Sequence, residues 1–203
     1  MAWLAERRVI KGETIAHDEK LYSLFEPHTQ LINRGKFPFP IEFGHPVFFV
    51  EDQIGFIVDY QVMKNGLTDE KVSVPLLKEL QKRHQNKIKV ASLDKSSWTP
   101  DNFKELKESF EVVCLPKKGR LTEEAKFRER APAFRQARRW HPGVESAIHA
   151  LVSGNGFAVC RDKGETGYDR YVALGVLCRN LHTLGKILFH QARDDRKQLR
   201  RAA

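Results

Sequence analysis

The order of apolar patterns between residues 41 and 116 constrains this fold more than any single motif. Residues 41–50 are rich in Phe, Val and Ile, and residues 55–63 alternate aliphatic and polar side chains, with Glu51-Asp52-Gln53 between them. Two β-type runs around a short polar break predict an antiparallel hairpin. Pro46 has no N–H to give to a ladder, so it argues for a strand edge or a bulge. Asn65-Gly66 closes the hairpin, and Thr68-Asp69 caps a helix reaching Arg83 with Val72, Leu76, Leu77 and Leu80 on one face. Residues 88–93 read as a short buried-type strand that stops at Asp94. Thr99-Pro100-Asp101 supplies a capping hydroxyl, a proline at the first helical position and an acid, so a helix starts there and ends near Ser109. Residues 112–115 form one more strand, stopped by Pro116.

The flanks read less sharply. Residues 5–12 have the pattern of the last turns of a helix closed by Gly12. Residues 20–25 form a short apolar run before Pro27 and read as a strand, followed by a loop of Asn33-Arg34-Gly35-Lys36 and prolines 38 and 40. Residues 121–139 are charged and helical in pattern, broken at Pro132. Residues 144–152 predict a helix entered through Pro142-Gly143 and ended by Gly154. Residues 168–190 predict a long amphipathic helix whose apolar set is Tyr171, Val172, Leu174, Val176, Leu177, Leu181, Leu184, Ile187 and Leu188. The tail from Arg193 is charged and expected to fray. A hairpin followed by β-α-β units gives an α/β architecture, a mixed sheet with flanking helices and here a C-terminal helical extension. The ribonuclease-H-like fold has this order. The organisation expected is a remnant helix and linker over 1–19, one core over 20–190 and a charged tail over 191–203.

Composition narrows the function classes. With 203 residues and 41% apolar residues the chain has material for a core, which excludes a disordered polymer. No run approaches the roughly 20 consecutive apolar residues of a membrane span, and no signal peptide opens the sequence. Three scattered cysteines fit neither a disulfide framework nor a paired metal knuckle, so a reducing cytoplasm is expected. Eight histidines show no zinc spacing with cysteine. The net charge of +9 is one-sided: residues 1–116 carry 16 Lys+Arg against 17 Asp+Glu, and residues 117–203 carry 19 against 9. A one-sided basic surface suits a polyanion, because each neutralised phosphate releases counterions. Solvated helix faces with no partner have the same composition.

Two carboxylates are placed for chemistry. In a partly parallel sheet, ligands collect beyond the carboxyl ends of the strands, where Asp94 stands. Glu145 lies in the first turn of its helix, flanked by Arg138, Arg139 and His141, where the helix dipole favours an acid. Each residue alone is also what a turn cap or an ordinary helix start uses. As a pair they suit Mg²⁺ (or Mn²⁺), which takes hard oxygen ligands, usually one or two carboxylates plus phosphates and water. Two such ions roughly 3.5–4 Å apart activate the attacking oxygen and stabilise the leaving one in phosphoryl transfer, and a third carboxylate normally bridges them. Lys117-Lys118-Gly119-Arg120 is a phosphate-contact loop or a solvated turn. Trp98 and Trp140 are either stacking platforms or half-buried packing residues.

As an ordered set, the following stretches resemble the C-terminal part of a bacterial insertion-sequence transposase of the DDE type. They are Gly12-Glu13-Thr14-Ile15, Glu19-Lys20-Leu21-Tyr22-Ser23-Leu24-Phe25-Glu26-Pro27-His28-Thr29, Glu42-Phe43-Gly44-His45 and Glu51-Asp52-Gln53-Ile54-Gly55-Phe56-Ile57. Further on they are Leu93-Asp94-Lys95, Thr99-Pro100-Asp101-Asn102, Leu115-Pro116-Lys117-Lys118-Gly119-Arg120, Val144-Glu145-Ser146-Ala147-Ile148 and the segment from Tyr171 through Leu181. The resemblance implies a ribonuclease-H-like core in which three carboxylates hold two divalent ions. Asp94 matches the second acid and Glu145 the third. The implied reaction is Mg²⁺-dependent hydrolysis of a DNA strand at an element end, followed by attack of the freed 3′ hydroxyl on target DNA. Lys117, Lys118, Arg120, Arg135, Arg138 and Arg139 are the expected phosphate contacts. The implied partner is DNA, both element ends and target, with no membrane, a cytoplasmic, nucleoid-associated location, and room for a homo-oligomer in the active complex.

The sequence departs from the family pattern. The strand carrying the first aspartate is expected upstream of the Gly12-Glu13-Thr14 stretch and is absent here, so the chain reads as an N-terminally truncated copy with weak or no activity. Glu26 is an alternative stand-in for that acid, which would make the chain a metal-dependent nuclease. Ser96-Ser97-Trp98 replaces a turn that normally contains Gly. Around the third acid, Arg138, His141, Glu145 and Val152 stand where relatives place Tyr, Arg, Glu and Lys. A non-catalytic DNA-binding module is the alternative function.

Overall fold

The computed structural model describes residues 2–202 other than His17, Asp18, Arg34, Lys36, Phe39 and Asn65, with side chains described for residues 3–197. Arg34 and Lys36 of the expected loop, and Asn65 at the hairpin's end, lie outside the described residues. Six strands and seven α-helices follow one another as α1 (Ala2–Ala5, continued by a π-helical turn over Glu6–Ile10), β1 (Gln30–Asn33), β2 (Ile41–Gly44), β3 (Val47–Glu51), β4 (Ile57–Val62), α2 (Asp69–Arg83), β5 (Val90–Ser92), α3 (Pro100–Ser109), β6 (Val112–Cys114), α4 (Glu123–Arg130), α5 (Pro132–Trp140), α6 (Pro142–Gly154) and α7 (Gly164–Ala202). This is a mixed α/β protein.

The central pattern folds as its periodicity predicts. β3 and β4 form the antiparallel hairpin, with a bulge at Val50/Glu51. β5 and β6 pair in parallel across the α3 crossover. Thr99 accepts the Asn102 N–H at 3.0 Å and Pro100 takes the first helical position, so α3 starts at the cap the sequence provides. Thr122 does the same for α4 by accepting the Ala125 N–H at 3.3 Å. Pro132 takes the first position of α5, where its missing N–H costs no intrahelical bond and its fixed φ suits a helix start.

Four expectations are corrected. Residues 20–25 form no strand; the first strand is Gln30–Asn33, pairing with Ile41–Gly44. The apolar run 41–50 is not one strand, for the chain breaks at His45-Pro46 and its halves join different partners. The strands do not merge into one sheet but form three two-stranded pairs. The tail from Arg193 does not fray: α7 continues through it to Ala202. A charged sequence of good helix formers prolongs a helix already nucleated by the packed segment before it.

The main core joins two of the pairs. Val74, Leu77 and Leu80 of α2 pack with Ala91 and Leu93 at β5, Val113 and Leu115 at β6, and Leu106 and Phe110 of α3. Val50 and Val58 of the hairpin pack on the same cluster. On the other side α5 packs on β5 and β6, α6 on β3 and α7 on β4, with α6 touching both its helical neighbours. Among the described residues β3 and β5 each have one strand partner, and the ladder geometry turns half of their backbone groups to the other side. The Met63 N–H bonds to the Pro46 carbonyl, so the alternate residues Val47 and Phe49 turn their backbone groups away from β4. The Leu93 N–H bonds to the Cys114 carbonyl and the Val112 N–H to the Lys89 carbonyl, so Val90 and Ser92 turn theirs away from β6.

Candidate functional site

Asp94 leaves the carboxyl end of β5 as the sequence predicts. It precedes a 3₁₀ turn over Lys95–Ser97, is exposed, and its carboxylate accepts a long 3.4 Å hydrogen bond from Ser96. The Ser96-Ser97-Trp98 turn is regular, with the Ser97 N–H bonded to the Asp94 carbonyl at 3.2 Å, so no left-handed residue is needed there. Glu145 stands in the first turn of α6, also exposed. Among the described residues no hydrogen bond or ion pair joins Asp94 to Glu145, and no three His, Cys, Asp or Glu side chains gather as a metal site. Two exposed carboxylates with no third acid beside them do not by themselves fit a two-ion centre. Glu26, the alternative stand-in for the first acid, is engaged elsewhere: it accepts the Gly164 N–H at 2.9 Å and lies 3.5 Å from His28 and 3.8 Å from Lys163.

The basic residues divide into two groups. α5 buries Phe134 and Ala137 against Cys114, Val90 and Val112, which turns Arg135, Arg138 and Arg139 to solvent. Spacings of three and four put these arginines on one face. Among the described residues none of the three forms an ion pair, so their charge is available to a polyanion. The face runs directly into the turn before α6 and Glu145. In the loop after β6, Lys118 lies 3.3 Å from Glu70, the Lys117 N–H donates to Glu129 at 2.9 Å, and Arg120 is exposed. Trp98 is not a free stacking platform. It packs on Phe103 and the main core, with the Arg128 guanidinium over both rings.

The sequence reading missed a clamp between α7 and the hairpin turn. The Ile57 N–H donates to Asn180 Oδ1 at 2.9 Å, and Asn180 Nδ2 donates to the Ile57 carbonyl at 2.9 Å. Thr183 Oγ1 donates to the Gly55 carbonyl at 3.3 Å. Arg179 lies 4.0 Å from Glu51, whose side chain is only 8% exposed. Burial pushes the Glu51 carboxyl above its ordinary range; the Arg179 charge opposes this in part, and Asp52 adds to it. The start of α6 sits directly on Glu51, since a Cβ on Gly143 would come within 2.9 Å of its Oε2. No local spacing announces contacts between residues 123 or more positions apart.

A second cluster ties the β2–β3 junction to the first turns of α7. The buried His45 ring stacks on His28 at 5.5 Å and meets the Tyr168 edge at 5.3 Å. The Tyr168 hydroxyl donates to the His45 carbonyl at 2.8 Å, and burial pushes that phenol up to about 12. Among the described residues neither His45 nitrogen has a hydrogen-bond partner. Burial, with help from His28 and Lys64, holds the imidazole below its ordinary value, against weaker opposing pulls from Glu165 and Asp169.

By length and composition α7 is long and apolar enough to cross a membrane. Arg179, Asn180 and Thr183 nonetheless bind it to the hairpin. Against protein-family models, curated proteins and solved structures alike, this chain finds no match.

Proposed function

We propose that this chain is a DNA-binding protein of the DDE-transposase type, acting in the cytoplasm on the nucleoid, with Asp94 and Glu145 as two of three carboxylates of a ribonuclease-H-like core. What supports the reading is that Asp94 follows β5, that Glu145 stands in the first turn of the helix that packs on β3, and that β5 and β3 each have a single strand partner among the described residues. The exposed arginines of α5, beside Glu145, supply the phosphate contacts.

The ion proposed is Mg²⁺ or Mn²⁺, but two carboxylates hold such ions poorly. The chain is therefore expected to bind DNA and to cleave it little or not at all. The test is purified protein on supercoiled plasmid DNA with Mg²⁺. Salt-sensitive binding with negligible nicking is the expected result. Robust nicking abolished by Asp94→Ala overturns the expected inactivity, and no binding at low salt overturns the DNA reading. The absence of a metal-holding group among the described residues favours a second reading, a purely DNA-binding module. That reading has Mn²⁺ unbound by calorimetry and DNA affinity unchanged in Asp94→Ala and Glu145→Ala.

A further inference from the structure

The apolar set of α7 does not form one core face. Val172 and Val176 are buried, as is Thr183, which faces the hairpin with Arg179 and Asn180. Leu174, Leu177, Leu181, Leu184 and Leu188 lie on another side of the helix and are 42–56% exposed. Their spacing is three, four, three, four. That is the heptad seam along which one helix packs on another, since a 3.5-residue repeat keeps the apolar stripe facing its partner.

We propose that the leucine stripe of α7 is the contact by which two copies of this chain associate, helix against helix. A heptad seam is complementary to itself, as a two-fold interface requires. The positions bordering it suit an identical partner. Following the second leucines of the repeat stand Cys178 and Gly185, and preceding the first ones stand Ala173, Asn180 and Ile187. None is charged, so two copies meet without like-charge repulsion, and the small residues let the helices approach closely. The five half-exposed leucines leave roughly 400 Å² of contiguous apolar surface, as much as monomers commonly keep in their largest patch. Pairing two such faces with their small borders buries about 1,000 Å² in total, at the lower end of specific interfaces. The association is thus expected to be reversible at micromolar concentration. It is independent of the carboxylates and of DNA.

Light scattering or sedimentation equilibrium of the purified chain, free of DNA, tests this. The wild type is expected to approach twice 23.4 kDa with rising concentration. Leu181→Lys, and separately the pair Leu177→Lys and Leu184→Lys, are expected to weaken association by about 30-fold or more, the size of a central contact's loss. Lys186→Ala, off the stripe, leaves it unchanged. Circular dichroism checks that the charged variants stay folded, which the exposure of these positions favours. A wild type that stays monomeric at every concentration overturns the proposal. So does a dimer that the charged variants leave intact. Flotation of a monomeric wild type on phosphatidylcholine–phosphatidylserine vesicles, lost in Leu181→Lys, overturns it in favour of a lipid surface.

Discussion

Replacing Asn180 by alanine tests whether α7 is fastened to the hairpin as the hydrogen bonds indicate. Ile57 is 4% exposed, and the hairpin ladder turns its N–H and C=O away from β3, where the Asn180 amide is their one partner among the described residues. Removing that amide takes away two hydrogen bonds of 2.9 Å and leaves a buried donor and a buried acceptor without partners. Each orphaned group costs about 1–3 kcal/mol, so together roughly 2–6 kcal/mol is expected, the lower figure applying if water enters the gap. In a urea titration followed by circular dichroism, a slope of about 3 kcal/mol per M converts that loss to a midpoint lowered by roughly 0.7–2 M. Gln136→Ala, on the exposed side of α5, is the matched control and should move the midpoint little. An Asn180→Ala midpoint within error of the control would refute the reasoning. It would show that the edge of β4 at Ile57 is satisfied by solvent rather than by α7.

Four further outcomes are expected. Leu115→Ala, at a fully buried position of the main core, should cost about 2–5 kcal/mol and lower the melting temperature accordingly. Gly175→Ala, although alanine is the better helix former, should destabilise by about 1–3 kcal/mol because its methyl would run into the Phe157 ring; a rise in melting temperature would contradict this. His45 has a folded-state pKa below its ordinary 6.5, so its share of stability is present above that value and is lost as pH falls through the folded one. His45→Phe, which keeps an aromatic ring against His28 and Tyr168, should therefore gain stability relative to wild type below pH 6.5, read as melting temperature against pH. Replacing Arg135, Arg138 and Arg139 together by alanine should flatten the logarithmic salt dependence of DNA binding by about 2–3, one phosphate contact per arginine.

Local chemistry made the middle of the chain legible. Thr99-Pro100-Asp101 predicts where α3 begins because the cap, the proline and the acid all act within one turn. The hairpin was readable because alternation over residues 55–63 specifies which side chains enter the core. The failures share a different cause. The run 20–25 has strand composition but no partner that would make it one, and the 41–50 run was split by Pro46, which ends one ladder and starts another. Composition does not say which neighbour a leucine meets, so the amphipathic pattern of α7 did not divide its apolar residues between the hairpin and solvent. Position alone led to Asp94 and Glu145 at a strand end and a helix start, whereas the Glu51, Arg179 and Asn180 contacts depend on the tertiary fold.

α7 spans 39 residues, roughly 58 Å of rod at 1.5 Å per residue, and is pinned to the β3–β4 turn near its middle. It is fastened along its first half as well, at Tyr168 and Tyr171, and from Thr183 to Arg193 it runs a further ~15 Å, so a partner gripping residues 193–197 would stand clear of the hairpin turn.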